Sequence, residues 1–376
     1  MGWGNLAWTE VASAAAFRRG RGQLLFNLQI LRGVAALAVV FYHTDFRLPG
    51  DWHTEFFGVS TFFVISGFIM CFITRDDADG FLIKRLLRIV PLYWICTFAL
   101  IYLIFRLSIL DPSTWLTAPV WHPVEPVWYY VGRSLLFLPS EQPFPVLPVG
   151  WTLNFEMYFY VVFAAALLIS RRLAPLIAAA FIYAVIWLDS VGLGGFLSHY
   201  YSHGYIHYFL YGIAVYYAWS LALPFLPRWP TIVSGAGVIA FCYGTQFAQP
   251  WLHGPAWTAL LPYAPIIIVA SALFLESSGA AVTWRPLVLI GDASYAIYLT
   301  HTLLPWMAHS YIEMWKLPTP KESTWMMLAY LAIGTAFGIC VHLWIEKPLA
   351  RHLRGVIKTC AQCHRPPCPV QAPTRL

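Results

Sequence analysis

Long apolar runs alternate with short polar segments along almost the whole chain. A helix needs about 20 apolar residues to cross about 30 Å of hydrocarbon, and fewer where it packs inside a bundle. Ten runs approach that length, at residues 24–43, 56–74, 88–107, 150–170, 173–189, 204–222, 230–247, 257–275, 286–305 and 325–346. The pattern predicts an all-α integral membrane protein with about ten transmembrane helices. The long connection 111–149 contains YYVGRSLLFL, a candidate re-entrant or interfacial helix.

Positive charges between these runs predict how the chain is oriented. If the N-terminus is inside, seventeen Lys and Arg residues fall on the inner side and five on the outer side, with Arg32 inside a span. Lys and Arg concentrate in cytoplasmic loops, so both termini are expected in the cytoplasm. We therefore expect a cytoplasmic segment 1–23, a membrane domain 24–352 and a disordered cytoplasmic tail 353–376. The predicted location is the inner membrane, crossed many times.

Composition narrows the class of protein further. The chain of 376 residues is 59% apolar and 11% charged, whereas soluble domains are about 45–50% apolar and about 25% charged. This balance excludes an ordinary soluble enzyme and a disordered chain. The net charge of +6 is spread over many short loops, so nucleic acid is not an expected partner.

The first span carries two ionisable side chains that point to chemistry. Arg32 and His43 are separated by eleven residues, which places them within about 20° of the same helix face and about 16 Å apart along the axis. A buried charge in a span is costly and is a functional candidate by default. We expect this face to line a hydrophilic cavity, although Arg32 could equally form a structural ion pair and His43 an interfacial cap.

Other spans add further candidates. Ser66 lies among small residues that suit helix packing or a hydrogen bond to a ligand. Arg85 and Arg88 share a helical face at the inner boundary, where they could anchor the helix or bind phosphate.

Glu156 lies in a span near its outer end, and His301 lies deep in the ninth span. Two more acidic residues, Asp292 and Glu346, fall near the inner ends of spans, where a salt bridge from Glu346 to Arg or Lys is the structural interpretation.

Six motifs, taken together and in order, resemble the acyltransferase-3 family of integral membrane acyltransferases. They are LRGVAALAVVFYH, FFVISGFIM, RLLRIVPLYW, WTLNFEMYFY, SYAIYLTH and WIEKP, and they extend over about residues 24–352. The LQILRG opening and VGWTLNFEMYFY are also similar to the branch that acetylates exopolysaccharides. The chain departs from the family at Ser60, where many members have Asp.

The resemblance implies transfer of an acyl group, usually acetyl from acetyl-CoA, to a hydroxyl of an exopolysaccharide or other envelope glycan. It implies that His43 is the essential histidine and Arg32 its partner. It also implies that Arg85 and Arg88 bind the donor. The expected partners are acyl-CoA, a glycan or lipid-linked sugar acceptor and the lipid bilayer, with no permanently bound cofactor and no metal.

These residues support a hypothesis for the chemistry. His43 would act as general base on the acceptor hydroxyl, with Glu156 or His301 orienting its imidazole. Arg32 would stabilise the thioester oxygen or the pantetheine arm. The candidate catalytic residues are thus His43, Arg32, Glu156 and His301, and the candidate donor-binding residues are Arg85, Arg88 and Ser66. A covalent acyl-histidine route stays open.

Two other classes of protein compete with this interpretation. Paired charges inside spans also mark transport pathways, so a transporter or flippase of a lipid-linked glycan is the alternative, although the sequence contains no internal repeat. The CAQCH run at 360–364 matches a haem attachment pattern. Its predicted cytoplasmic location argues against covalent haem there.

Overall fold

The apolar runs of the sequence form a bundle of packed helices. The structure, a computed structural model, describes residues 25–43, 57–75, 77–110, 126–139, 144–222, 227–248, 259–303 and 324–363. Within these ranges all regular secondary structure is helical. The α-helices are α1 Phe26–Tyr42, α2 Gly58–Thr74, α3 Phe81–Leu110, α4 Val127–Leu135, α5 Trp151–Ile169, α6 Ala174–Ser190, α7 Phe196–Tyr201, α8 Ile206–Ala222, α9 Arg228–Ala248, α10 Ala264–Ser277, α11 Arg285–Asp292, α12 Ser294–Thr300, α13 Thr324–Val341 and α14 Lys347–Cys363.

Each of the ten predicted spans falls on an observed helix or helix pair. Three described helices are long and apolar enough to cross a membrane, namely Phe81–Arg106, Pro148–Ile169 and Met327–Gly355. Four shorter apolar helices are Phe26–Tyr42, Gly58–Thr74, Ala174–Ser190 and Leu261–Ser277. The all-α membrane class is supported, while the number of crossings and the side of each terminus remain predictions.

Two helices differ from the predicted spans in ways that affect the site. Helix α3 begins at Phe81 and continues through Pro91, so Arg85 and Arg88 lie on the helix itself. The ninth span is not one helix, because α11 ends at Asp292 and α12 begins at Ser294. The YYVGRSLLFL stretch contributes helix α4.

The C-terminal part of the chain is more ordered than the sequence predicted. A π-helical turn, His342–Glu346, connects α13 to α14, and α14 extends to Cys363. Residues 353–363 are therefore helical, where we expected a disordered tail, while residues 364–376 and the segment 1–23 lie outside the described residues. Within the turn, Nδ1 of His342 lies 2.7 Å from the Glu346 carboxylate. Glu346 thus pairs with a histidine rather than with the expected Arg or Lys.

Helix α1 contacts five other helices, α2, α10, α11, α12 and α13. Its first turn is held by the buried carboxylate of Glu276 on α10, which accepts the backbone N–H groups of Phe26 at 2.6 Å and Asn27 at 3.0 Å. A carboxylate at this end satisfies free N–H groups and favours the helix dipole. This contact fixes the start of the helix that carries Arg32 and His43.

Close helix crossings bring the neighbouring helices together. At the α2–α8 crossing, a Cβ on Gly67 would lie 2.1 Å from the carbonyl oxygen of Phe209, and one on Gly212 would lie 2.2 Å from that of Val64. Glycine is required at both positions because any side chain would separate the backbones. Helix α2 can therefore present Ser66, which precedes Gly67, at a fixed position relative to its neighbours.

Candidate active site

A cavity of about 290 Å³ lies between α1, α2, α3, α5 and α12. Apolar side chains form much of its wall, but several polar groups converge on it. Those polar groups are Gln29, Arg32, Ser66, Arg85, Arg88, Thr152, Glu156, Tyr160, Tyr295 and Tyr298. Five of the seven candidate residues from the sequence thus meet in one cavity, although they come from four different helices.

Three arginines supply the positive charge of this cavity. Nη1 of Arg32 donates to Oε1 of Gln29 at 3.2 Å, and Nε2 of Gln29 donates to Asp292 at 2.7 Å. Among the described residues, neither Arg32, Arg85 nor Arg88 has a carboxylate within 4.0 Å. The Nε of Arg85 is buried and has no hydrogen-bond partner in the described part of the chain. These cations are therefore available to an anionic ligand.

Glu156 is the one acidic side chain among the described residues that line the cavity. Its Oε1 accepts a hydrogen bond from Ser66 Oγ at 3.2 Å and another, shorter one from the Tyr160 hydroxyl. Tyr160 also interacts with Arg85. Ser66 and Tyr160 thereby hold the carboxylate in place through one of its two oxygens.

The two candidate histidines lie against each other. Nε2 of His301 is 3.3 Å from Nδ1 of His43, and the ring centroids are 4.9 Å apart. His301 is 2% exposed, whereas His43 is exposed at the end of α1. The structure therefore places His301, rather than Glu156, next to the His43 imidazole.

Backbone carbonyls determine which ring nitrogens carry protons in the neutral pair. Nδ1 of His43 lies 2.9 Å from the Val39 carbonyl oxygen, and Nδ1 of His301 lies 2.6 Å from that of Tyr298. A carbonyl only accepts, so we assign a proton to each Nδ1. The single Nδ1–H of His43 is then shared between the Val39 carbonyl oxygen and Nε2 of His301, and Nε2 of His43 is the unprotonated ring nitrogen.

The histidine pair adjoins the cavity without lining it. Tyr298 connects the two, because its side chain lines the cavity and its carbonyl oxygen accepts from His301. The Tyr298 hydroxyl lies 2.7 Å from Oγ1 of Thr152 and donates to the Val149 carbonyl at 2.9 Å. Arg32 thus lines the cavity as expected, whereas His43 lies beyond its Tyr298 wall.

A short turn with paired charges precedes the arginines of α3. Lys84 donates to Asp77 at 2.9 Å, and this hydrogen bond holds the pKa of the Asp77 carboxyl below its usual range. Arg171 donates to Asp79 at 2.5 Å. All four side chains are largely exposed, so these ion pairs contribute little to stability.

Sequence reasoning missed Gln29, Tyr160 and Tyr298. Tyr160 follows Glu156 by one helical turn and Tyr298 precedes His301 by one turn, a spacing that places side chains on a common face. This spacing, within the motifs WTLNFEMYFY and SYAIYLTH, could have indicated both tyrosines. The link from Gln29 to Asp292 joins α1 to α11, and nothing in the local sequence indicates it.

An arginine-lined cavity next to a histidine with a free basic nitrogen, within a bundle of apolar helices, suits a membrane-embedded group-transfer enzyme. A family model described as an acyltransferase domain matches residues 25–347. The chain belongs to the acyltransferase-3 family of enzymes, as its motifs predicted, and it is an acyltransferase.

Curated relatives extend the comparison. The chain is 33% identical over 309 residues to the exopolysaccharide production protein ExoZ of Rhizobium meliloti, covering 79% of this chain and 90% of that protein. It is 25% identical over 327 residues to the O-acetyltransferase OatA of Staphylococcus aureus, covering 78% of this chain and 52% of OatA. It is 24% identical over 305 residues to the putative peptidoglycan O-acetyltransferase YrhL of Bacillus subtilis, covering 73% of this chain and 48% of YrhL. The chain thus spans about half the length of the last two relatives, and no solved structure matches it.

Proposed function

We propose that this acyltransferase transfers an acetyl group from acetyl-CoA to a hydroxyl of an exopolysaccharide or other envelope glycan in the inner membrane. The observation that carries the proposal is a cavity with three arginines that Tyr298 connects to a pair of histidines. The names of the relatives ExoZ, OatA and YrhL support a polysaccharide as the acceptor.

The cavity would hold the donor. Guanidinium groups bind phosphate oxygens through paired, charge-assisted hydrogen bonds, so Arg85 and Arg88 suit the CoA phosphates. Arg32 is about 16 Å from His43 along α1, which is too far for one guanidinium to reach the reacting carbonyl beside the imidazole. We therefore assign Arg32 to the phosphates or the pantetheine arm rather than to the thioester oxygen.

His43 would supply the general base. Its Nε2 removes the proton from the acceptor hydroxyl as the oxygen attacks the thioester carbonyl, and the carbon–sulfur bond then breaks. The CoA thiolate leaves and recovers the proton from the imidazolium. His43 caps the C-terminal end of α1, where the helix dipole stabilises the cation that forms. His301 holds the imidazole in the required tautomer.

The test is acetyl transfer by the purified protein with labelled acetyl-CoA and an isolated glycan acceptor. The His43→Ala variant is expected to lose about 10²–10⁴-fold in the rate of CoA release, as expected for removal of a general base. The matched control is His352→Ala, since His352 is an exposed residue on α14 outside the cavity. Near-normal transfer by His43→Ala would remove His43 from catalysis.

The same assay separates the proposal from glycan transport. An acetyltransferase releases free CoA only when the acceptor is present, whereas a flippase releases none. In cells, proton NMR of the glycan from a deletion strain is expected to lack acetyl signals that return on complementation. Unchanged acetyl content in the deletion strain would contradict the proposal.

A further inference from the structure

The carboxylate of Glu156 is unusual in a cavity whose other charged lining residues, in the part of the chain that the structure describes, are arginines. Between its phosphates and its thioester, CoA carries a pantetheine arm with two amide groups. Each amide N–H needs an acceptor once the arm leaves water, because an unpaired buried donor retains its full desolvation cost. Guanidinium groups only donate and cannot meet this need.

The remaining polar groups of the wall offer weaker acceptors. The Tyr295 hydroxyl donates to the Ile89 carbonyl at 2.7 Å, and the Tyr298 hydroxyl donates to the Val149 carbonyl at 2.9 Å. These hydroxyls can still accept, but they are neutral. Hydrogen bonds to a charged acceptor are about twice as strong as neutral ones.

Glu156 is held so that one oxygen remains for a ligand. Both described hydrogen bonds to its carboxylate, from Ser66 and from Tyr160, end on Oε1. None of the described residues donates to Oε2. Since Ser66 comes from α2 and Tyr160 from α5 itself, the carboxylate is fixed from two helices and its second oxygen has a defined direction.

We propose that Oε2 of Glu156 accepts a hydrogen bond from an amide N–H of the pantetheine arm. This inference rests on the proposed acyl-CoA donor. Two sets of residues would then recognise the CoA donor. Arg85 and Arg88 would bind its anionic nucleotide end, and Glu156 would bind its neutral pantetheine arm. The competing explanation is that Glu156 only balances the charge of the three arginines.

Binding measurements on the purified full chain distinguish these explanations, with CoA and pantetheine as probes. Glu156→Gln keeps the shape of the side chain and removes its charge, so pantetheine affinity is expected to fall about tenfold. The matched control Arg88→Gln is expected to weaken CoA binding and leave pantetheine binding unchanged. Tighter CoA binding by Glu156→Gln with unchanged pantetheine affinity would show charge balance alone and would overturn the inference.

Analogues of pantetheine identify the hydrogen bond itself. In each analogue one amide N–H is replaced by an ester oxygen, which cannot donate. One of the two analogues is expected to bind the wild-type protein about tenfold more weakly than pantetheine and to show no further loss with Glu156→Gln. The wild-type comparison stands even if the variant misfolds. Equal affinity of wild-type protein for pantetheine and both analogues would overturn the inference.

These assays need neither acceptor nor turnover, so the two proposals can fail separately. A protein that binds CoA and discriminates the analogues but releases no CoA from acetyl-CoA would contradict acetyl transfer alone. A protein that transfers acetyl groups but does not discriminate the analogues would contradict the Glu156 inference alone. A protein that binds neither CoA nor pantetheine would overturn both.

Discussion

At the scale of single residues, the proposed mechanism depends on which ring nitrogen of His43 carries the lone pair. The carbonyl of Val39 and Nε2 of His301 both face Nδ1 of His43. Both groups accept a hydrogen bond, so both favour the tautomer in which Nε2 is the base. In the proposed mechanism His301 is therefore a positioning residue, and it needs no proton transfer of its own.

This role predicts how His301 variants behave. His301→Ala is expected to lower kcat about 10²-fold, because a small displacement of a catalytic group has an effect of that size, while the KM for acetyl-CoA stays unchanged. His301→Gln is expected to recover part of the loss, since its carbonyl oxygen can accept from the His43 Nδ1–H. Steady-state CoA release at varied acetyl-CoA measures both quantities. A rise in KM with unchanged kcat would place His301 in donor binding instead.

The arginines of α3 give a second prediction at this scale. Arg85→Ala is expected to raise the KM for acetyl-CoA about tenfold through the loss of charge-assisted hydrogen bonds to phosphate. The KM for S-acetylpantetheine, which has no nucleotide phosphates, is expected to change little. Arg171→Ala is the control, because Arg171 is a basic residue outside the cavity that pairs with Asp79. Lower protein levels with unchanged kinetics would favour an anchoring role for Arg85.

At the scale of helices, glycines allow α2 to approach α8 closely. Gly67→Ala would place a Cβ 2.1 Å from the Phe209 carbonyl oxygen, a contact between backbones that no rotamer change relieves. The expected cost is about 1–3 kcal/mol, as for other overpacked cores, seen as a lower melting temperature in detergent. Gly237→Ala on α9 is the matched control, since no atom lies within 4 Å of its Cβ position. A Gly67→Ala protein as stable as Gly237→Ala would contradict this account of the crossing.

The helices themselves were largely predictable, because about 20 apolar residues in a row have few alternatives in a bilayer. The break at Ala293 does not follow from the length and apolar content of the run 286–305; its local signal is Gly291 and Asp292, which end α11 directly before the break. The length and apolar content of a run do not reveal a break of one residue in the helix. Helix α14 was missed for a different reason, because its charged and apolar residues form an amphipathic helix rather than an apolar run.

The arrangement of the candidate site was predictable only for residues that lie on the same helix. Arg85 and Arg88 could be paired from their spacing on α3, because residues three apart share a face. The contact of His43 with His301 joins residues 258 positions apart, and it depends on how α1 packs against α12. The same limit explains why Glu156 and His301 both remained candidates to orient His43. Tertiary packing, not local pattern, decided between them.

At the scale of the whole molecule, the cavity arginines and the imidazole lie toward opposite ends of the bundle. Arg85 and Arg88 are in the first turns of α3, next to the turn that the charge pattern places inside. His43 is at the end of α1, on the side that the same pattern places outside. In the predicted orientation, a donor that enters from the cytoplasm would present its acyl group near the outer surface without crossing the membrane itself.

This arrangement predicts that the enzyme uses acetyl-CoA from only one face of the membrane. CoA is highly charged and does not cross a bilayer, so in sealed vesicles acetyl-CoA is expected to support transfer only from the face that corresponds to the cytoplasm. Inside-out vesicles supplied with external labelled acetyl-CoA should acetylate glycan trapped in their lumen, whereas right-side-out vesicles should do so only after detergent opens them. The Arg85→Ala variant should be impaired in both preparations, because its defect concerns donor binding rather than access.

Transfer by intact right-side-out vesicles from external acetyl-CoA would mean that the donor cavity opens outward. In that case the predicted orientation of the bundle, and not the chemistry assigned to His43, would be the error.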